Sequence, residues 1–199
     1  MAEGSLLRAW WQRLRGQLRP RPCPCSDAAV LESPLRGLFA SPRRILSAFE
    51  LSPGERILEI GPGIGYYSRD AVDRVGESGR LVCLDVQREM LLETRRRLQA
   101  GERVAHFVQA SAVALPFVSA TFDRVLLITV LGEIPDRSQA LQEIRRSLRP
   151  GGRLSVSEQL PDPDFITVAT LRSELRACGF AEQSTRRHFG IAYSSTWSR

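Results

Sequence analysis

Apolar and polar positions along the chain change their spacing several times, and each change marks an element. Leu7, Trp10, Trp11, Leu14 and Leu18 share one face at 100° per residue, with Arg8, Arg15 and Arg19 opposite. That spacing predicts an amphipathic basic helix from Ser5 to Arg19, stopped by Pro20. Pro20, Pro22 and Pro24 then form a stiff connector. Leu31, Leu35, Leu38 and Phe39 predict a second short helix over 27–39. Ser41-Pro42 is a helix start, a capping hydroxyl followed by proline in the first turn. The helix it opens carries Ile45, Leu46, Ala48 and Phe49 and ends before Pro53-Gly54.

From residue 56 onward, short apolar runs alternate with helical periods. Strands are predicted over 57–60, 80–84, 104–109, 122–130 and 154–160. Helices are predicted over 66–75, 89–100, 136–148 and 166–178. Two short runs, near Phe180 and over 189–193, supply candidate closing strands. Gly76, Gly101 and Gly179 close helices, and Arg149-Pro150-Gly151-Gly152 reads as a strong stop. The near-continuous apolar character of 122–130 implies a strand covered on both faces. Such alternation predicts an α/β fold, a doubly wound, mainly parallel sheet with helices on both faces and right-handed crossovers. The domain is expected over 41–199 and to fold on its own. Residues 1–40 are expected to form an N-terminal helical extension: amphipathic helix, linker and lid.

Composition narrows the class. The chain has 199 residues, 43% hydrophobic and 25% charged, which suits one globular domain. No apolar run approaches the roughly 18 residues of a membrane span. The net charge is +6, and every one of the 28 basic residues is arginine. Arg8, Arg13, Arg15, Arg19 and Arg21 against Glu3 place most of that excess in the first 25 residues. The remainder is near neutral, so a surface that coats nucleic acid is not expected. Cys23 and Cys25 have a Cys-Pro-Cys spacing that fits no metal or redox pair, and Cys83 and Cys178 stand apart, so no metal site is expected. The N-terminus lacks the uninterrupted apolar stretch of a signal peptide, which points to a reducing, cytoplasmic location.

The chemistry concentrates in Ile57-Leu-Glu-Ile-Gly-Pro-Gly-Ile-Gly65, a strand, a glycine-rich turn and a helix. Gly61, Gly63 and Gly65 allow a sharp turn and a close backbone approach at a strand end where open sheets bind ligands. A dinucleotide fingerprint would place its third glycine at 66, but that residue is Tyr66. Glu59 disfavours a pyrophosphate and favours a cation. Asp85 ends the next strand 20 residues after Gly65, where a carboxylate can accept two ribose hydroxyls. Capping the following helix is the alternative role for Asp85, and the two are compatible.

With these segments in place, the chain resembles the class I S-adenosylmethionine-dependent methyltransferases over roughly 41–199. The motifs are LEIGPGIG, LVCLDV, ASAVALPF, FDRVLLITVL and LRPGGRLSVSE, in the family's order. The pairing of ALPF with FDRV resembles the branch of quinone-biosynthesis and small-molecule enzymes. The resemblance implies a Rossmann-like, seven-stranded sheet with S-adenosylmethionine as cofactor. It implies that Gly61, Gly63 and Gly65 cradle the cofactor, with Glu59 near its ammonium group and Asp85 on its ribose. Val86 and Met90 would pack on the adenine, beside Ser111 and Ala112. Ile128 and Thr129 would face the methionine portion and the reacting methyl. Ser111 stands where the family often has Asp, a weaker contact to the adenine amino group. It is the one feature tilting toward a cofactor-binding protein without activity.

Methyl transfer from a sulfonium needs alignment more than a fixed catalytic dyad. Tyr66, Tyr67 and Glu133 are the candidate catalytic residues, with His188 less favoured, while His106 is expected to pack inside its strand. The core has no inserted substrate domain, so 31–49 is expected to roof the acceptor pocket. A small-molecule or lipid-like acceptor is expected. The helix over 5–19 would meet a lipid surface, the protein's own helices or a second copy; the spacing leaves these open, along with the oligomeric state.

Overall fold

The computed structural model describes residues 41–100 and 104–199. The helix expected over 5–19, the proline connector and the helix expected over 27–39 lie outside the described residues. In chain order the elements are α1 (Pro42–Phe49), β1 (Arg56–Ile60), α2 (Ser68–Val75), β2 (Arg80–Asp85), α3 (Arg88–Gln99), β3 (His106–Gln109), β4 (Phe122–Ile128), a 3-10 turn (Leu131–Glu133), α4 (Arg137–Ser147), β5 (Leu148–Gln159), α5 (Val168–Ala177), β6 (Ala181–His188) and β7 (Ala192–Ser198). Seven strands form one sheet in the order β3-β2-β1-β4-β5-β7-β6. The first five are mutually parallel, and β7 runs antiparallel to both β5 and β6. The expected doubly wound, Rossmann-like class is the observed one. Its strand order reverses direction between β1 and β4, where such sheets bind ligands at the carboxyl ends.

Side-chain alternation along the strands sorts the core into two layers. Ile57, Leu81 and Leu126 meet Ile45, Leu46 and Phe49 of α1 and Ala71 and Val75 of α2. Leu58, Leu127, Leu154 and Val156 face the other way, onto Ala140, Leu141 and Ile144 of α4 and Leu171 and Leu175 of α5. The Ser41 side chain caps α1, accepting from the Arg44 N–H at 3.4 Å. Ile45, Leu46, Ala48 and Phe49 are all buried within this layer. These four side chains therefore complete the core beside α2, while the 31–40 part of the expected roof lies outside the described residues.

Three local readings are corrected. The Arg149–Gly152 stop does not separate α4 from β5, because the strand begins directly at Leu148, which is fully buried and pairs with Phe122. The register then shifts before Arg124 meets Arg153, so the glycines form an irregularity within the ladder. Residues 66–67 precede α2, which starts at Ser68. His106 is exposed at the start of β3 and not packed, because β3 is an edge strand whose ends are open to solvent.

Candidate active site

The C-terminal ends of β1, β2 and β4 lie side by side, and the chain leaves β1 through Gly61-Pro62-Gly63-Ile64-Gly65. Gly61, Gly63 and Gly65 have φ of 66°, 58° and 81°, a backbone that other residues adopt only under strain. Sterics add a second requirement. A Cβ on Gly61 would lie 2.6 Å from Val130 Cγ2, and one on Gly65 would lie 3.0 Å from Thr94 Cγ2. At these two positions the close neighbour is the protein itself, which draws the turn against the end of β4 and against α3. The Gly61 N–H donates to the Leu84 carbonyl at 2.8 Å, and the Thr94 hydroxyl donates to the Gly63 carbonyl at 2.8 Å. The turn is thus held from both sides before any ligand arrives.

Asp85 follows Leu84, beside this turn. Its Oδ1 accepts from the Gln87 N–H at 2.9 Å, so the carboxylate does help to start α3. Burial raises its pKa above the ordinary aspartate value, while the N–H groups of Gln87 and Val86 hold the rise back. Val86 is 44% exposed beside it, and Gln109 donates to the Val86 carbonyl at 3.1 Å. The Ala110 N–H donates to the Asp85 carbonyl at 3.0 Å, which brings Ser111 to the same end of the sheet. Ser111 Oγ itself accepts weakly from the Val113 N–H at 3.4 Å. Met90 and Ala112 are buried in the protein interior. Asp85 and Val86 thus lie at the strand end next to the segment that carries Ser111, while Met90 and Ala112 are buried.

Ile128 is buried on the α1–α2 layer, and Thr129 turns away from β4 with φ 54°. A β-branched residue rarely holds that conformation. The Thr129 N–H donates to the Ser157 carbonyl of β5 at 2.8 Å, and its hydroxyl donates to the Ile128 carbonyl at 2.7 Å. Tyr67 is buried among the core side chains, and Tyr66 meets it edge to face with ring centres 5.1 Å apart. Glu133 is half-buried in the 3-10 turn after β4.

Glu59 is buried, with the Cys83 thiol 3.9 Å from its Oε2. Burial pushes its pKa up to about 7, and the neighbouring Ser68 hydroxyl and Cys83 thiol hold the rise back. A second buried carboxyl escaped the reading of the sequence. Glu158, near the end of β5, is 1% exposed, and its Oε1 has no hydrogen-bond partner. Burial pushes its pKa well up, reinforced by Asp162, Glu133 and Asp164. The available signal was the same as for Glu59, a single acidic residue closing an apolar strand.

Comparison with known proteins supports this geometry. Residues 58–156 match the family described as a methyltransferase domain. A ubiquinone/menaquinone biosynthesis C-methyltransferase from Hahella chejuensis is 41% identical over 108 residues, covering 53% of this chain and 43% of that protein. The enzyme of the same name from Vibrio cholerae is 38% identical over 108 residues, covering 53% and 42%. The chain thus matches less than half the length of these relatives. A crystal structure of an S-adenosylmethionine-dependent methyltransferase from Aquifex aeolicus superposes with a TM-score of 0.81 at 21% identity, covering 88% of this chain and 98% of that one. With motifs, sheet order and family match in agreement, the chain belongs to the class I S-adenosylmethionine-dependent methyltransferases.

Proposed function

We propose that this protein transfers a methyl group from S-adenosylmethionine to a small hydrophobic acceptor, a quinol-type ring being the favoured class. The observation that carries the reading is the meeting of three features at one reversal of the sheet: the left-handed glycine turn, the Asp85 carboxylate and the strained Thr129. The residues fit the cofactor. Asp85 keeps acceptor capacity for ribose hydroxyls beyond its bond to Gln87. Val86 offers an exposed apolar side chain for the adenine, with Ser111 as a neutral polar neighbour. Glu59 supplies a carboxyl on the strand that leads into the turn, suited to an ammonium group.

When bound, the cofactor supplies a methyl group already activated on a sulfonium. The protein's part is then alignment and exclusion of water. Thr129, fixed by its bond to β5, sets the edge of the reacting space. Tyr66 and Glu133 are the candidates for contact with the acceptor, since Tyr67 is committed to the core. The acceptor class follows from the relatives, named for C-methylation in ubiquinone and menaquinone biosynthesis.

Isothermal titration with S-adenosylmethionine and with its demethylated product tests the first half. Transfer of labelled methyl to a short-chain prenylated naphthohydroquinone tests the second. Absence of binding by either ligand would overturn the cofactor site. Binding without transfer to this probe, but with label entering another small-molecule fraction of a cell extract, would overturn the acceptor class alone.

A further inference from the structure

The β6–β7 turn carries a feature that the methyl-transfer site does not use. His188 pairs with Ala192, and residues 189–191 link the two strands in a tight turn, the Ile191 N–H donating to the His188 carbonyl at 3.2 Å. Phe189 and Gly190 occupy its tip with φ of 50° and 75°. Such a turn favours asparagine or glycine at its first position, since both tolerate a left-handed backbone. Here the position holds a phenylalanine, and its side chain is 66% exposed. An aromatic ring is thus kept in water on a strained backbone, against both local preferences.

One cation sits on the ring, and others line a neighbouring cleft. The Arg44 guanidinium lies 4.6 Å from the ring centre. Beside it a cleft of about 400 Å³ is lined by Ser41, Arg43, Arg44, Ser47, Arg186 and His188. Arg74 reaches the same place, donating to the Arg43 carbonyl at 3.3 Å and the Ser47 hydroxyl at 3.0 Å. Glu50 neutralises one of these charges, 2.9 Å from Arg186. Arg43 is exposed and has no carboxylate partner among the described residues.

The position of this patch matters as much as its charge. Gln159 at the end of β5 pairs with Ala192, and the Leu160 N–H donates to the Ile191 carbonyl at 2.8 Å. The hairpin tip therefore lies at the carboxyl end of the parallel strands, the end that carries Gly61, Asp85 and Thr129. The first turn of α1 lies at this end too, with Arg44 on Phe189. At its other end, the Glu50 carbonyl meets Arg124, toward the amino end of the central strand β4.

We propose that the first turn of α1 and the β6–β7 tip form a membrane-docking face: the arginine-lined cleft takes the phosphate of an anionic lipid headgroup, and the Phe189 ring enters the interface beside it. The arginines supply long-range attraction to an anionic leaflet, and the ring supplies apolar burial at the headgroup level. Docking in this orientation turns the carboxyl ends of the strands toward the bilayer, where a hydrophobic acceptor would reside. The proposal does not depend on the methyl-transfer reading, because it needs neither cofactor nor turnover.

The test uses the full chain and two vesicle compositions, phosphatidylglycerol mixed with phosphatidylcholine and phosphatidylcholine alone. The expected result is sedimentation with the anionic vesicles, weakening as salt rises, and little with the neutral ones. Arg43→Gln and Arg186→Gln should each lower vesicle affinity about fivefold. Phe189→Asn should lower it too while keeping the salt dependence. Asparagine suits the backbone at 189, so a loss there is not a loss of folding. Phe189→Trp should show fluorescence quenching by brominated lipid in excess of that of the native tryptophans. Sedimentation of the variants equal to wild type, no excess quenching in Phe189→Trp, or binding to single-stranded RNA in place of vesicles would each overturn the proposal.

Discussion

The five parallel strands and the antiparallel β6–β7 hairpin bury their interiors by different chemistry. In β4 every residue is buried, and Val125, Leu126, Leu127 and Ile128 do this with hydrocarbon. In β7 the buried residues include Ser194, Ser195 and Thr196. There, hydroxyls pair across the strands: Ser195 with Thr185 at 2.8 Å, Ser194 with His188 at 2.9 Å, and Thr196 with Ser155 at 3.4 Å. The Trp197 indole N–H donates to Ser195 Oγ at 2.7 Å, so the largest buried side chain of the hairpin leans on this polar ladder. Burial therefore demands satisfied groups, not apolar ones. A sheet can be interior on one side through hydrophobic runs and on the other through complementary hydroxyls.

The sharpest way to break the contrast is Arg124, the one buried cation among the described residues. It is fully buried, donates to Glu55 at 2.9 and 3.0 Å, and also reaches Ser155 at 3.0 Å and the Glu50 carbonyl at 3.4 Å. Arg124→Leu should cost about 3–5 kcal/mol of unfolding free energy in urea, because Glu55 loses its counter-ion. Arg124→Leu with Glu55→Leu should recover most of that loss. If the single variant unfolds like wild type, the apolar half does not depend on this satisfied charge.

This difference also explains what the sequence revealed. Hydrophobic runs and glycine stops located β1, β2, β4 and their helices to within a few residues, because parallel strands covered on both faces must be apolar. The polar spacing of β6 and the Ser-Ser-Thr of β7 offered no such run, and only fragments near Phe180 and Phe189 hinted at them. Leu148 joined β5 despite the following Pro-Gly-Gly, since pairing with Phe122 outweighed a local stop. At the candidate site, Gly61, Asp85 and Glu59 were legible because glycine and acid at strand ends have few other uses. Glu158 closes an apolar strand just as Glu59 does, but no glycine turn follows it to mark a site, and only the structure shows it buried opposite Tyr193 of β7.

A second measurement asks whether the parallel half alone holds the cofactor. Asp85→Ala should weaken S-adenosylmethionine binding by about 1.5–3 kcal/mol in isothermal titration, the scale of hydrogen bonds to a charged group. Binding unchanged in this variant would move the ribose elsewhere. A smaller effect is expected on the hairpin side. Ser195→Ala leaves the buried Trp197 N–H without its partner, while Thr185 keeps its bond to Glu182, and should cost about 1–2 kcal/mol of stability, with cofactor affinity unaltered. A matching loss of affinity would show that the two halves are coupled.

The smallest expected effect separates the two buried glutamates among the described residues, Glu59 and Glu158. Burial pushes the Glu59 pKa up to about 7, so its carboxyl retains a protonated fraction near neutral pH in the free protein. By linkage, this group stabilises the fold fully below the ordinary glutamate range, and that contribution is lost as pH rises through about 7. An ammonium group bound beside Glu59 would favour the carboxylate and draw its pKa back down. Cofactor binding at pH 7 should then release a fraction of a proton from Glu59. Titration calorimetry in buffers of different ionisation enthalpy reads that proton count directly. Glu59→Gln should abolish the release. Glu158→Gln should leave it intact, because Glu158 lies on the opposite face of the sheet, in the layer with α5 and β7. Proton release that survives Glu59→Gln and disappears in Glu158→Gln would transfer the cation-sensing role to the carboxyl at the end of β5.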